Sequence, residues 1–307
     1  MTLPKNLVAA AAGIAAATVV LAGCGSRNPL DSSGASTSAS DTVTVGTANF
    51  AESEILGYLY ADALQDNGIK ATVKPGIGAR DAYIAALKDG SIDAVPEYTG
   101  NLLQYFDAKA TAQSSDEVYS ALTKAVPSGL TVLDKAAAED ADSLNVTKEF
   151  SDTHHVTSLA QLAGLKIPIK VGAPPEFSTR PYGLPGLKSK YGLDATLVPI
   201  NDGGGPITVK ALIDGQVQVA DIFSTTPAIK QNGFVTLADP QHMILAQNIV
   251  PLLARKKASA KVTAVLDKLQ SILTTDDLIA MNTSSTTDKQ SAQTIARNWL
   301  DKHKVTA

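Results

Sequence analysis

Three carboxylates, one guanidinium and two aromatic rings stand where this 307-residue chain could act on another molecule. Glu97, Glu176 and Asp221 each follow a strand-like run. Paired carboxylates can share acid and base duties in hydrolysis, but no nucleophile, base and orienting group fall into one constellation, so a hydrolytic enzyme is the weaker reading. Tyr98, between Glu97 and Thr99, and Phe223, closing an apolar run, offer ring faces to a cation; packing in a core is the plainer role for either. Arg180, between Thr179 and Pro181, offers a planar fork that can grip a carboxylate with two parallel bonds, against the plainer role of a surface ion pair. Gly76-Ile77-Gly78 and Gly203-Gly204-Gly205-Pro206 each precede a helical stretch, where backbone N–H groups can cradle an anion or simply turn the chain. His154 and His155 are adjacent and diverge, while His242 and His303 lack acidic or cysteine partners at ligand spacing. No metal and no cofactor is expected.

The start of the chain bears on where such chemistry would take place. Lys5 is the only charge ahead of a small-residue apolar run from Leu7 to Ala22, closed by Leu21-Ala22-Gly23-Cys24. A basic start, a short apolar core and small residues at the cut predict an export signal over residues 1–23, short for a membrane span. Leu-Ala-Gly-Cys resembles the bacterial lipobox, which implies a lipid on Cys24 and an anchor at the outer face of the cell membrane; an uncleaved anchor helix is the plainer alternative. Cys24 is the only cysteine, which leaves none for a disulfide or a thiolate metal site. Residues 24–41, rich in Ser, Gly, Asp, Ala and Thr, cannot bury enough surface to offset their ordering entropy and read as a flexible tether. A net charge of −4 argues against nucleic acid as a partner and against an electrostatic membrane-binding face.

From Thr42 onward, short β-branched runs alternate with segments of helical period. Residues 43–45, 71–73 and 92–95 read as strands, with helices over 51–67 and 80–88 between them. The pattern recurs with strands at 166–171, 196–199, 217–220 and 235–237 and helices at 184–191 and 206–213. Val262, Val265, Leu266, Leu269, Ile272 and Leu273 fall on one helical stripe, and a last helix ends near Trp299 and Leu300. The βαβ order predicts an α/β fold built on mostly parallel sheets, which bind ligands at the carboxyl ends of their strands. Two such units predict two lobes with a cleft between them, lobe 1 over 42–141 and 249–307 and lobe 2 over 142–248.

Several segments, in order, carry a resemblance to one family. Gly46-Thr47-Ala48-Asn49-Phe50-Ala51-Glu52, Asp89-Gly90-Ser91-Ile92-Asp93, Pro96-Glu97-Tyr98-Thr99-Gly100, Gly172-Ala173-Pro174-Pro175-Glu176-Phe177 and Ala220-Asp221-Ile222-Phe223-Ser224-Thr225 resemble the solute-binding proteins of ABC importers for glycine betaine, carnitine and choline. The resemblance implies a two-lobe clamp of the type II periplasmic-binding-protein kind, acting as a monomer. It would capture a compatible solute outside the membrane and deliver it to a permease with membrane and ATPase subunits. It further implies that Tyr98 and Phe223 belong to an aromatic cage, that Arg180 holds a carboxylate, and that Asn49, Phe50 and Asn101 line the first lobe's wall. Family members commonly carry further tyrosines at positions matching Asp140 to Asn145 and just before residues 250–253, where this chain has Asp140, Asp142, Gln247 and Asn248. That departure predicts a cage of two rings with polar groups at the other positions, including Gln247 and Asn248, suited to a hydroxyl-rich or phenolic solute.

Overall fold

The computed structural model describes residues 42–306; the expected export signal, the expected tether and Cys24 lie outside the described residues. The chain runs β1 (Val43–Ala48), α1 (Ala51–Asp66), β2 (Ala71–Gly78), α2 (Arg80–Asp89), β3 (Ala94–Tyr98), α3 (Thr99–Phe106), α4 (Ser115–Ala125) and β4 (Leu130–Val132). It continues through β5 (Leu144–Val146), α5 (Lys148–His154), α6 (Leu159–Gly164), β6 (Ile169–Ala173), α7 (Leu184–Tyr191), β7 (Ala195–Pro199), α8 (Pro206–Ile213), β8 (Val219–Asp221), α9 (Ala228–Gln231) and β9 (Val235–Thr236). Strand β10 (Ile249–Ala254) and helices α10 (Ala260–Gln270), α11 (Thr275–Thr286) and α12 (Ala292–His303) complete it.

These strands form two five-stranded sheets, ordered β2-β1-β3-β10-β4 and β7-β6-β8-β5-β9. Both are mixed rather than mostly parallel: β10 runs antiparallel to β3 and β4, and β5 antiparallel to β8 and β9. The reversed strand is in each case the one the chain enters on crossing from the other sheet. In β10 the alternation of side chains sends Ile249 and Leu253 into a core with α1, α10, α11 and α12, and Val250 and Leu252 into another with α2, α3 and α4. A strand buried on both faces reads as one apolar run, as Ile249-Val-Pro-Leu-Leu-Ala254 does.

The two crossing segments lie side by side. Ile249 N donates to Ala138 O (3.0 Å) and Asp140 N donates to Gln247 O (3.1 Å), while Glu139 and Asn248 form an antiparallel bridge. Two hydrogen-bonded crossing segments thus join the two sheets. Among the described residues no helix is long and apolar enough to cross a membrane.

Candidate functional site

The carboxyl ends of β1, β3, β6 and β8 converge on a cavity of about 80 Å³ between the sheets. At roughly 10–15 Å³ per water-sized group, it has room for about five to eight of them. Asn49, Phe50, Tyr98, Asn101, Arg180 and Phe223 all line it. Gln247 and Asn248 do not. Gln247 accepts from Asn101 N (3.0 Å) and donates to Asn101 Oδ1 (2.5 Å). Asn248 donates to Ala136 O (3.0 Å) and accepts from Ser115 Oγ (2.5 Å). Gln247 is thus held against Asn101 of α3, behind the lining, and Asn248 against Ala136 and Ser115.

The aromatic content differs from the two rings expected. Phe50, Tyr83, Tyr98, Phe177, Tyr182 and Phe223 all border the space. Phe50, from the start of α1, stands edge-on to Phe223 of the other lobe with centroids 5.2 Å apart, and lies 6.1 Å from Tyr98. Phe177 and Tyr182 form a second pair, 6.5 Å apart. Tyr83 lies one helical turn beyond Arg80 on α2, an i, i+3 spacing that places both on one face; this signal was available in the sequence. Tyr182 had none, because its placement depends on the turn after Pro181. Gly203 lets the second lobe close on the first: it holds φ +61°, and a Cβ there would stand 2.7 Å from Phe50 Cβ.

Beneath the rings lies a buried polar layer. Arg80 grips Glu97 with Nε and Nη2 at 2.8 and 2.9 Å, and the Tyr83 hydroxyl donates to the same carboxylate at 2.8 Å. Glu97 is thus fully occupied and is not a free acid. Tyr98 donates to Glu52 Oε1 (2.7 Å); burial, then the nearby Glu52 and Asp140 charges, pushes its phenol up, so it remains a donor at neutral pH. Burial likewise holds Tyr83 and Tyr182 above the usual phenol range. Asp140 accepts from Thr225 N (2.9 Å) and Ser224 Oγ (3.1 Å), and Asp142 accepts from Asn101 Nδ2 (2.5 Å). Glu176 lines the same cavity, whereas Gly76-Ile77-Gly78 does not: Gly76 N donates to Thr47 Oγ1 at the end of β2. Among the described residues no group of three or more histidine, cysteine or acidic side chains could hold a metal ion.

The lobes meet over the cavity. Arg180 Nη2 reaches Asp81 Oδ2 at 2.8 Å and its guanidinium lies 5.2 Å from the Tyr105 ring centroid. Asn49 Nδ2 donates to Asn201 Oδ1 (3.2 Å), and Thr225 Oγ1 donates to Glu52 Oε2 (2.7 Å). Arg180 Nε is buried and has no hydrogen-bond partner. The arrangement can surround a small solute from two sides, with rings above and polar groups below.

Residues 41–302 match the family described as the substrate binding domain of ABC-type glycine betaine transport systems. The chain is 25% identical over 277 residues to a glycine-betaine-binding protein of Pseudomonas aeruginosa, covering 86% of this chain and 88% of the relative. It is 26% identical over 215 residues to the glycine betaine-binding protein YehZ of Escherichia coli K12, covering 66% and 70%. A crystal structure described as a glycine betaine/carnitine/choline ABC transporter superposes with a TM-score of 0.67 at 19% identity, over 86% of this chain and 99% of that one; it supports the two-lobe clamp fold.

Proposed function

The chain belongs to the family of substrate-binding domains of ABC-type glycine betaine transport systems, and we propose that its cavity takes a small quaternary ammonium solute of the glycine betaine, carnitine or choline kind. The observation that carries this is the convergence of Phe50 and Tyr98 from one lobe with Phe223 from the other, at 6.1 and 5.2 Å. A trimethylammonium head neither donates nor accepts conventional hydrogen bonds, so ring faces must replace its water, at about 2 kcal/mol or more per contact once water is excluded. Arg180 Nε is the donor for an oxygen on the solute's tail, and Asn49 and Asn101 form the polar wall. The hydroxyl-rich or phenolic alternative rested on a cage of two rings; six aromatic residues around the cavity and the names of the relatives favour the ammonium solute.

Contacts from both lobes favour the closed form, so solute binding drives closure, and the closed protein presents its outer surfaces to a membrane permease. A lipid on Cys24 would hold the protein, as a monomer, at the outer face of the membrane. Titration calorimetry of the protein with glycine betaine, carnitine, choline and a polyol tests the reading. Saturable binding of at least one ammonium solute, lost on Tyr98→Ala, is the expected result. Binding of the polyol alone would overturn it.

A further inference from the structure

A second cavity, of about 490 Å³, lies where the two lobes meet and shares no lining residue with the solute cavity. One side comes from the end of α3 and the segment after it, between Gln104 and Gln113. The other comes from the second lobe, between Thr179 and Lys190, with His242 and Leu245. Its volume falls in the range of small-molecule sites, roughly 300–1,000 Å³.

The wall points to the charge of what fits there. Lys109 from one lobe and Lys190 and His242 from the other line it, and no carboxylate does, in a chain with 30 acidic side chains against 26 lysines and arginines. Among the described residues Lys109 has no ion-pair partner; Asp107, close in sequence, accepts from its backbone N at 3.0 Å. Lys190 Nζ donates to Gln241 O (2.8 Å) and His242 O (3.0 Å), so two neutral carbonyls fix its position without balancing its charge. His242 holds a left-handed φ of 49°, uncommon outside glycine. Gln104 is 8% exposed, yet its amide has no hydrogen-bond partner among the described residues, and its Oε1 is buried without a donor. That is a costly state for a polar group. A half-turn of the amide exchanges its NH₂ and oxygen, so a donor can face the cavity.

We propose that this second cavity binds a small organic dianion of the dicarboxylate class, one charge toward Lys109 and Gln104 and the other toward Lys190 and His242, and so ties the lobes together. Pro181 and Leu245 on the same wall suit a hydrocarbon spacer, and a compact inorganic anion fills little of 490 Å³. Lysine ammoniums from both lobes attract opposite ends of such a molecule, and water is displaced from the groove between them. The two sides part when the lobes open, so the anion favours the closed form. By linkage it raises solute affinity by the same factor by which the solute raises its own. This coupling rests on the clamp reading above; the site itself does not.

The test is titration calorimetry of the full chain with succinate, glutarate and inorganic phosphate, each against sodium chloride of matched ionic strength, repeated on Lys109→Ala and Gln104→Leu. At least one dicarboxylate should bind saturably, and each substitution should weaken it about fivefold or more. Gln104→Leu should leave the ligand-free melting temperature unchanged, because no partner within the protein is lost. Heats no different from sodium chloride, or binding that both variants keep, overturn the site. Phosphate binding as tightly as either dicarboxylate overturns the assignment to a spanning dianion. Lys109→Ala, at an exposed side chain, decides the matter if Gln104→Leu does not fold. Glycine betaine should then bind about fivefold tighter or better to the chain saturated with dicarboxylate. Equal affinity overturns the coupling; betaine that binds in neither condition overturns the ammonium reading, while the direct anion titration still decides the site.

Discussion

Glu97 illustrates how far a residue's type falls short of its role. In sequence it is a carboxylate beside a ring-bearing motif, open to reading as an acid or base. In the fold it accepts two bonds from Arg80 and one from Tyr83, all within 2.9 Å, and is fully buried. Removing one partner of a buried ion pair strands the other charge, at about 3–5 kcal/mol. Glu97→Gln should therefore lower stability by that amount, seen as a reduced urea midpoint with unchanged slope, and Tyr83→Phe by less, about 1.5–3 kcal/mol for one bond to a charged group. An unchanged midpoint in Glu97→Gln would mean that the Arg80 pair contributes nothing. Tyr98, Asn49, Phe50, Asn101, Arg180 and Phe223 were legible as cavity residues through the motifs that carry the family resemblance, and all six line the cavity. Gln247 and Asn248 were not separable from them. A side chain on a crossing segment can face the cleft or the neighbouring segment, and only the bonds to Asn101, Ala136 and Ser115 decide which.

At the scale of elements, the longer strands and helices follow from period and punctuation. Helix α2 starts at Arg80 and stops where Gly90 takes a left-handed φ of 83°; α8 opens on Pro206, whose missing N–H costs nothing at that position. The three-residue strand β5 is too short to show alternation, so the reversal in the second sheet stays hidden, and the reversal of β10 in the first stays hidden because a continuous apolar run carries no direction. Helix α11 goes unread in the sequence because its polar run Asn282-Thr-Ser-Ser-Thr286 shows no apolar stripe; the signal it does carry is the capping box of Thr274 with Asp277. The Gly203 loop offers the sharpest test at this scale. Gly203→Ala keeps a left-handed residue at about 1–2 kcal/mol and adds a Cβ that meets Phe50 only when the lobes are together. Ligand affinity should fall about tenfold or more, while the ligand-free melting temperature drops only by what the backbone strain explains. Equal affinity in calorimetry would show that the loop yields and that its close approach is not needed for closure.

In the proposed cycle an open form is set against a closed one, and the lobes are tied by a buried polar cluster as well as by aromatic contact. Glu52 on α1 receives bonds from Tyr98, from Thr225 beyond β8 in the second lobe, and from Asn282 on α11 (2.7 Å each), and Asn282 also donates to Thr225 Oγ1 at 2.9 Å. Separating the lobes parts Thr225 from this cluster and lets water take its place on Glu52. Thr225→Val keeps the shape and removes the hydroxyl, so the closed form alone holds a buried carboxylate short of a donor, at about 1–3 kcal/mol. The closed population falls by that difference and every ligand pays the same penalty, a loss of about 5- to 150-fold in affinity. This uniformity separates a closure residue from a contact residue, since losing a ring such as Tyr98 or Phe223 acts on the ammonium head it touches and varies with how each solute seats that head. The measurement is calorimetry with two ammonium solutes on Thr225→Val, with small-angle scattering to follow the radius of gyration on saturation. Affinity losses that differ strongly between solutes, or no loss, would show that Thr225 is not part of the lobe latch; equal losses with a larger ligand-free radius would establish that it is.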